Sequence, residues 1–179
     1  MSTIALLVID MQVGLTATAH DRDGLVERVK HVLEKARAAD VPVIYMQHED
    51  AEELVRGSAE WQIDPLLETA AGETVLPKQA CDSFYDTALD MLLHQHGVTH
   101  LVITGMDTSF CVDTTCRQAL SHGYDVTLVA DAHSTISDEA MPDVPVGAAQ
   151  RIAMHNIILA NLTHPHHRII LQTADDIRF

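Results

Sequence analysis

The sequence predicts an α/β fold, a mostly parallel sheet with helices on both faces, from three observations. Short continuous apolar runs rich in β-favouring residues alternate with longer amphipathic stretches along the chain. Continuous apolar runs suit strands that are covered on both faces. The amphipathic stretches carry apolar residues at helical spacing, and two of them stop on glycine. No repeat, low-complexity segment or linker interrupts the alternation, so residues 1–179 read as one domain.

The first strand is "IALLVI" at 4–9. A helix follows over 25–39, with Leu25, Val29, Val32, Leu33 and Ala36 on one stripe. "VPVIYMQ" (41–47) is the second strand and "ETVLPK" (73–78) a short third. Residues 49–72 lack periodicity and are expected to cover the strand ends as a loop with short helical pieces. The stretch 87–97 is a helix that turns Leu89, Leu92 and Leu93 inward and stops at Gly97. "HLVITG" (100–105) is the fourth strand, 110–123 a helix ending on glycine, and "DVTLVAD" (125–131) the fifth strand. A helix over 146–162 and a sixth strand, "RIILQ" (168–172), close the chain.

Composition narrows the function. The net charge of -15 argues against nucleic acid, because phosphate binding needs clustered Lys and Arg. Hydrophobic residues make up 47% of the chain but never run to the ~18 that a membrane span needs. The N-terminal "MSTIALLVIDMQ" has no basic region and carries an acid at Asp10, so it does not read as a signal peptide, and a cytoplasmic location is expected. Cys111 and Cys116 are five apart, a rotation of roughly 140° on a helix, which disfavours a disulfide between them.

In parallel sheets ligands bind beyond the carboxyl ends of the strands. That rule selects Asp10, His48, Lys78, the 105–111 segment and "DAHST" (131–135) as residues that should converge. Asp10 at the end of a strand is poor core material; it is either a capping residue or a general base. Lys78 beside a carboxylate and a thiol would hold both ionised. Cys111 opens the helix after the fourth strand, where the helix N-terminus favours a thiolate and unpaired N–H groups point outward. Cysteine is equally common as a small buried residue, and position alone leaves both readings open.

Three segments carry a family resemblance: "LLVIDMQ" (6–12), "LPKQACDSF" (76–84) and "GMDTSFCVDTTCRQALSHGYDVTLVADA" (105–132). In order and spacing the chain resembles the isochorismatase-like cysteine hydrolases. The resemblance implies a Rossmann-like three-layer sandwich whose six-stranded sheet is ordered 3-2-1-4-5-6. It implies an Asp-Lys-Cys triad at Asp10, Lys78 and Cys111, and a cis peptide at Met106-Asp107. The backbone N–H groups of Asp107 and Cys111 would then form the oxyanion hole. The implied reaction is cleavage of a C–N bond in a small amide or ureide through a thioester.

His48, Trp61, Phe84, Tyr85 and His133 are candidate substrate-contacting residues. Nicotinamidase-type relatives place an acid and two histidines as metal ligands after the second strand. "MQHEDAEELVRG" offers His48 and no second histidine at usable spacing, so no catalytic metal and no other cofactor is expected. An ether or ester hydrolase using Asp10 as acid, and a non-catalytic member of the fold, are the alternatives. A small-molecule substrate is the expected partner, with a homo-oligomer, dimer or larger, expected by analogy.

Overall fold

The computed structural model describes residues 3–179. Its sheet has six parallel strands in the order β3-β2-β1-β4-β5-β6: β1 (Ile4–Ile9), β2 (Val43–His48), β3 (Thr74–Lys78), β4 (His100–Gly105), β5 (Asp125–His133) and β6 (Ile169–Gln172). The predicted fold class and strand order are both found. β1 and β4 lie side by side at the reversal of strand order, with Ile9 paired to Gly105. Residues leaving these two strands therefore enter the same crevice.

A one-turn helix α1 (Val13–Thr16) and the long α2 (Arg22–Ala38) follow β1. α2 packs Leu25, Val29, Val32 and Leu33 against Leu6, Val8, Tyr45 and Val102 on one face of the sheet. On the other face α3 (Leu89–Gln95), α4 (Asp113–Ser121) and α5 (Ala148–Ala160) cover Leu7, Ile9, Met46, Ile103 and Leu128. Alternation along the strands sends odd and even residues to the two layers.

Several boundaries differ from expectation. β5 runs on to His133, because a register shift between Ile103 and Gly105 lets His133 pair with Gly105. The segment expected as a helix from residue 110 begins as a π-helical turn, Thr108–Val112, and becomes α-helical only at Asp113. α5 buries Ala148, Arg151 and Leu159 but leaves Met154, Ile157 and Ile158 exposed, so its apolar stripe is only partly used by this chain. Gly105 has φ 122°, and a Cβ there would stand 2.0 Å from the Ile9 carbonyl oxygen. Only glycine allows β1 and β4 to close at that point. Among the described residues no helix is long and apolar enough to cross a membrane.

Candidate active site

The alternation of β1 would send residue 10 to the α2 layer, with Val8. Asp10 leaves the strand with φ 50°, in the left-handed region that aspartate tolerates better than most residues. Its carboxylate Oδ2 meets Lys78 Nζ at 2.7 Å, and neither side chain reaches solvent. Lys78 is the last residue of β3, on the same face as Leu76. Cys111 sits in the π-helical turn, 9% exposed, with Sγ 3.2 Å from Lys78 Nζ. Residues 10, 78 and 111 thus meet at one ammonium.

That ammonium has two further neighbours. Lys78 Nζ donates to the Ala80 carbonyl at 3.0 Å and lies 3.3 Å from His48 Nδ1. The three N–H hydrogens of the ammonium match three aligned neighbours, the Ala80 carbonyl, the Cys111 sulfur and the His48 imidazole. Neither Asp10 oxygen has a well-aligned hydrogen bond among the described residues; the 2.7 Å contact is a charge pair with poor donor alignment. An oxygen with spare acceptor capacity is what a proton acceptor needs.

Burial raises the Asp10 carboxyl above its ordinary range, against the pull of Lys78. Burial, then the Asp10 charge, pushes the Cys111 thiol up, and Lys78 opposes both. Burial alone would lower Lys78, but Asp10 and Cys111 outweigh it and hold the amine above its usual value. One buried ammonium therefore balances one anion. Burial thus pushes both the carboxyl and the thiol toward their neutral forms, against the charge of Lys78. This differs from the expectation that Lys78 holds both partners ionised. The helix N-terminus contributes less than expected as well, since α4 starts two residues after Cys111.

Asp10, His48 and Cys111 bring potential ligand atoms within 4.8 Å of one another, the makings of a cation site. Lys78 Nζ stands 2.7, 3.3 and 3.2 Å from their atoms. The lysine is the cation of this set, and a metal ion would have to displace it.

The Met106-Asp107 peptide is cis. The Asp107 carboxylate, 6% exposed, accepts from Ser109 N–H at 2.7 Å, Ile136 N–H at 3.0 Å and the Thr135 hydroxyl at 2.9 Å. It ties the turn that holds Cys111 to the exit of β5.

The other candidates separate. His48 reaches the cluster through Nδ1, and burial followed by Lys78 lowers its pKa. Tyr85 is exposed and lines a cavity of about 230 Å³ together with Glu49, Lys78 and Gln79. Phe84 is buried, stacked on His122 at 4.4 Å and near Tyr124 at 5.9 Å, so it is packing. Trp61 lies in the wall of a larger cavity, about 730 Å³, with Gln47, Ile63 and Val75; Asp10, Lys78 and Cys111 are not among its lining residues. This larger hollow is therefore not the one beside the ion pair. His133 is buried with both ring nitrogens hydrogen-bonded within the fold, to Thr108 and Asn156, which leaves neither for a ligand.

Gln12 escaped the sequence reading. Its buried amide donates to the carbonyls of His48 and Trp61, both at 2.9 Å, and accepts from His48 N–H at 2.8 Å. A glutamine three residues past a buried strand was the available signal, since a buried amide needs partners.

The isochorismatase domain family matches residues 4–153. A streptothricin hydrolase of Streptomyces noursei is 34% identical over 158 residues, 83% of this chain and 57% of the relative. The chain spans less than two thirds of that protein and of a second streptothricin hydrolase, of which it covers 63%. The ureidoacrylate amidohydrolase RutB of Serratia proteamaculans is 36% identical over 104 residues, 58% of this chain and 39% of the relative. The crystal structure of an isochorismatase family protein superposes with a TM-score of 0.82 at 32% identity, covering 95% of this chain and 99% of that one. With the sheet order found and the matched domain spanning most of its length, the chain belongs to the isochorismatase family.

Proposed function

We propose that the protein is a cysteine hydrolase that cleaves the C–N bond of a small amide or ureide through a thioester on Cys111. The observation that carries the reading is the single ammonium of Lys78, 2.7 Å from Asp10 Oδ2 and 3.2 Å from Cys111 Sγ. The similarity to a protein described as a ureidoacrylate amidohydrolase supports the substrate class.

In this reading the sulfur gives its proton to Asp10 as it attacks the carbonyl carbon. The transfer moves the negative charge from carboxylate to sulfur while Lys78 stays in contact with both, so the pocket's net charge is constant. The carbonyl oxygen becomes an oxyanion held by the N–H groups of Asp107 and Cys111. Asp10 returns the proton to the leaving nitrogen, the C–N bond breaks, and a thioester remains. Asp10 then takes a proton from water as the hydroxide adds to the thioester. Collapse expels the sulfur, which recovers the proton, and releases the carboxylic or carbamic acid.

The test is a panel of small primary amides and ureides assayed for ammonia or amine release, with Cys111→Ala and Cys111→Ser beside wild type. Release that requires Cys111 supports the reading. Release that survives in both variants overturns it.

A further inference from the structure

Behind the turn that carries Cys111 lies a hydrogen-bonded chain that the reaction above does not use. Thr108, the first residue of the turn and wholly buried, pairs its hydroxyl with His133 Nδ1 at 2.8 Å. His133 Nε2 is 2.9 Å from Asn156 Oδ1, and Asn156 Nδ2 donates to the Ala130 carbonyl at 3.0 Å.

The direction of every bond follows from one end. A backbone carbonyl can only accept, so the side of Asn156 that faces Ala130 is its NH2 group. Its oxygen then faces His133 and accepts, which puts the imidazole proton on Nε2. Nδ1 is left as an acceptor, and the Thr108 hydroxyl must donate to it. Burial lowers the pKa of His133 to about 4, in keeping with a neutral ring. The Thr108 N–H donates to the Ser134 carbonyl at 2.8 Å, so the residue is held from both its backbone and its side chain.

We propose that Asn156, His133 and Thr108 form a one-way hydrogen-bond chain that positions the turn bearing Cys111 and the oxyanion N–H groups. The three are positioning residues; none touches the reacting atoms. The chain couples α5, the end of β5 and the nucleophile turn, three elements that share no direct sequence neighbourhood. The role in rate rests on the cysteine-hydrolase reading, while the polarity of the chain does not. Acyl transfer should feel a small displacement of the turn strongly, because the oxyanion donors must meet a defined point. Direct alkylation of the sulfur uses no oxyanion hole and should hardly feel it.

Three measurements on the intact protein decide the matter. The first is nitrogen NMR of protein labelled in histidine at neutral pH: His133 should be the Nε2-protonated tautomer, and Thr108→Val should move its Nδ1 resonance. An Nδ1-protonated or doubly protonated ring overturns the chain. The second is single-turnover acetylation of Cys111 by p-nitrophenyl acetate, which Thr108→Val should slow by at least about tenfold. The third is alkylation by iodoacetamide, expected to stay within about twofold of wild type in the same variant. Thr108→Ser, which keeps the hydroxyl, should restore acetylation.

Acetylation at the wild-type rate in Thr108→Val overturns the proposal, and so does an equal loss of acetylation and alkylation, which would mark a merely structural residue. Should Thr108→Val not fold, Asn156→Ala carries the same comparison. If acetylation of the wild type proves independent of Cys111 or absent, the hydrolase reading fails by itself, and the chain is judged on the tautomer of His133.

Discussion

Lys78 Nζ lies 2.7 Å from Asp10 Oδ2 with both side chains withdrawn from solvent, and the two residues come from strands that do not pair with each other. β1 and β3 are separated by β2, so the contact spans the crest of the sheet above His48. A buried pair of this kind is costly to break from one side. Lys78→Met or Asp10→Asn alone should lower unfolding free energy by about 3–5 kcal/mol, because each strands a partner charge. The double variant should lose less than the sum by at least about 1 kcal/mol. Denaturant unfolding of the four proteins measures this, and additive losses would show that the pair is not coupled.

Acid should destabilise the fold through His133. Its folded pKa is about 4, against roughly 6.5 in an unfolded chain. Between those values the unfolded state binds the proton and the folded state does not, so stability is lost as pH falls from about 6.5 to 4. The slope approaches about 1.4 kcal/mol per pH unit for this one group, and roughly 3 kcal/mol over the window. His48 and His100 are shifted in the same direction and steepen it. Unfolding free energy measured from pH 7 to 4 should fall accordingly, and His133→Gln should flatten the profile. An unchanged slope in that variant would mean that His133 is solvated.

Gly105→Ala should cost at least about 3 kcal/mol, since the new Cβ meets the Ile9 carbonyl and φ is positive. The backbone of β1 cannot retreat without parting from β2. Thermal unfolding measures the loss; a melting temperature near wild type would show that β1 and β4 can separate.

Gln12→Leu leaves the His48 N–H and the Trp61 carbonyl without this partner. A loss of about 1–3 kcal/mol is expected. Protease cleavage within residues 49–64 should also rise, because Gln12 is one of the ties between that loop and the strand ends. Resistance equal to wild type would assign the loop's order to its other contacts.

Most of the fold was legible because both faces of the sheet are covered, which turns strand segments such as 4–9 and 101–103 into uninterrupted apolar runs. Positions that break the period of two were not. Asp10 and His133 looked equivalent, each a polar residue at a strand end. A positive φ swings the first onto Lys78, and a register shift sends the second to Thr108. Composition encodes neither event. The π-helical turn left no mark either, since its residues would suit an α-helix. Trp61 lay in a stretch without periodicity, and only contacts made at long range decide which side of the sheet such a stretch lines. Phe84 read as a pocket residue because it stands beside the Lys78 loop; the rings of His122 and Tyr124 that bury it come from a distant part of the chain.

The central claim is that Cys111 carries the acyl group while Asp10 moves the protons. Mass spectrometry of protein quenched within one turnover of p-nitrophenyl acetate tests it most directly. Wild type should carry an acetyl group on the peptide containing Cys111, and Asp10→Glu, whose longer side chain misplaces the base for water attack, should retain it longer. An acetyl group on any other residue, or rapid turnover with Cys111 never modified, would contradict the account.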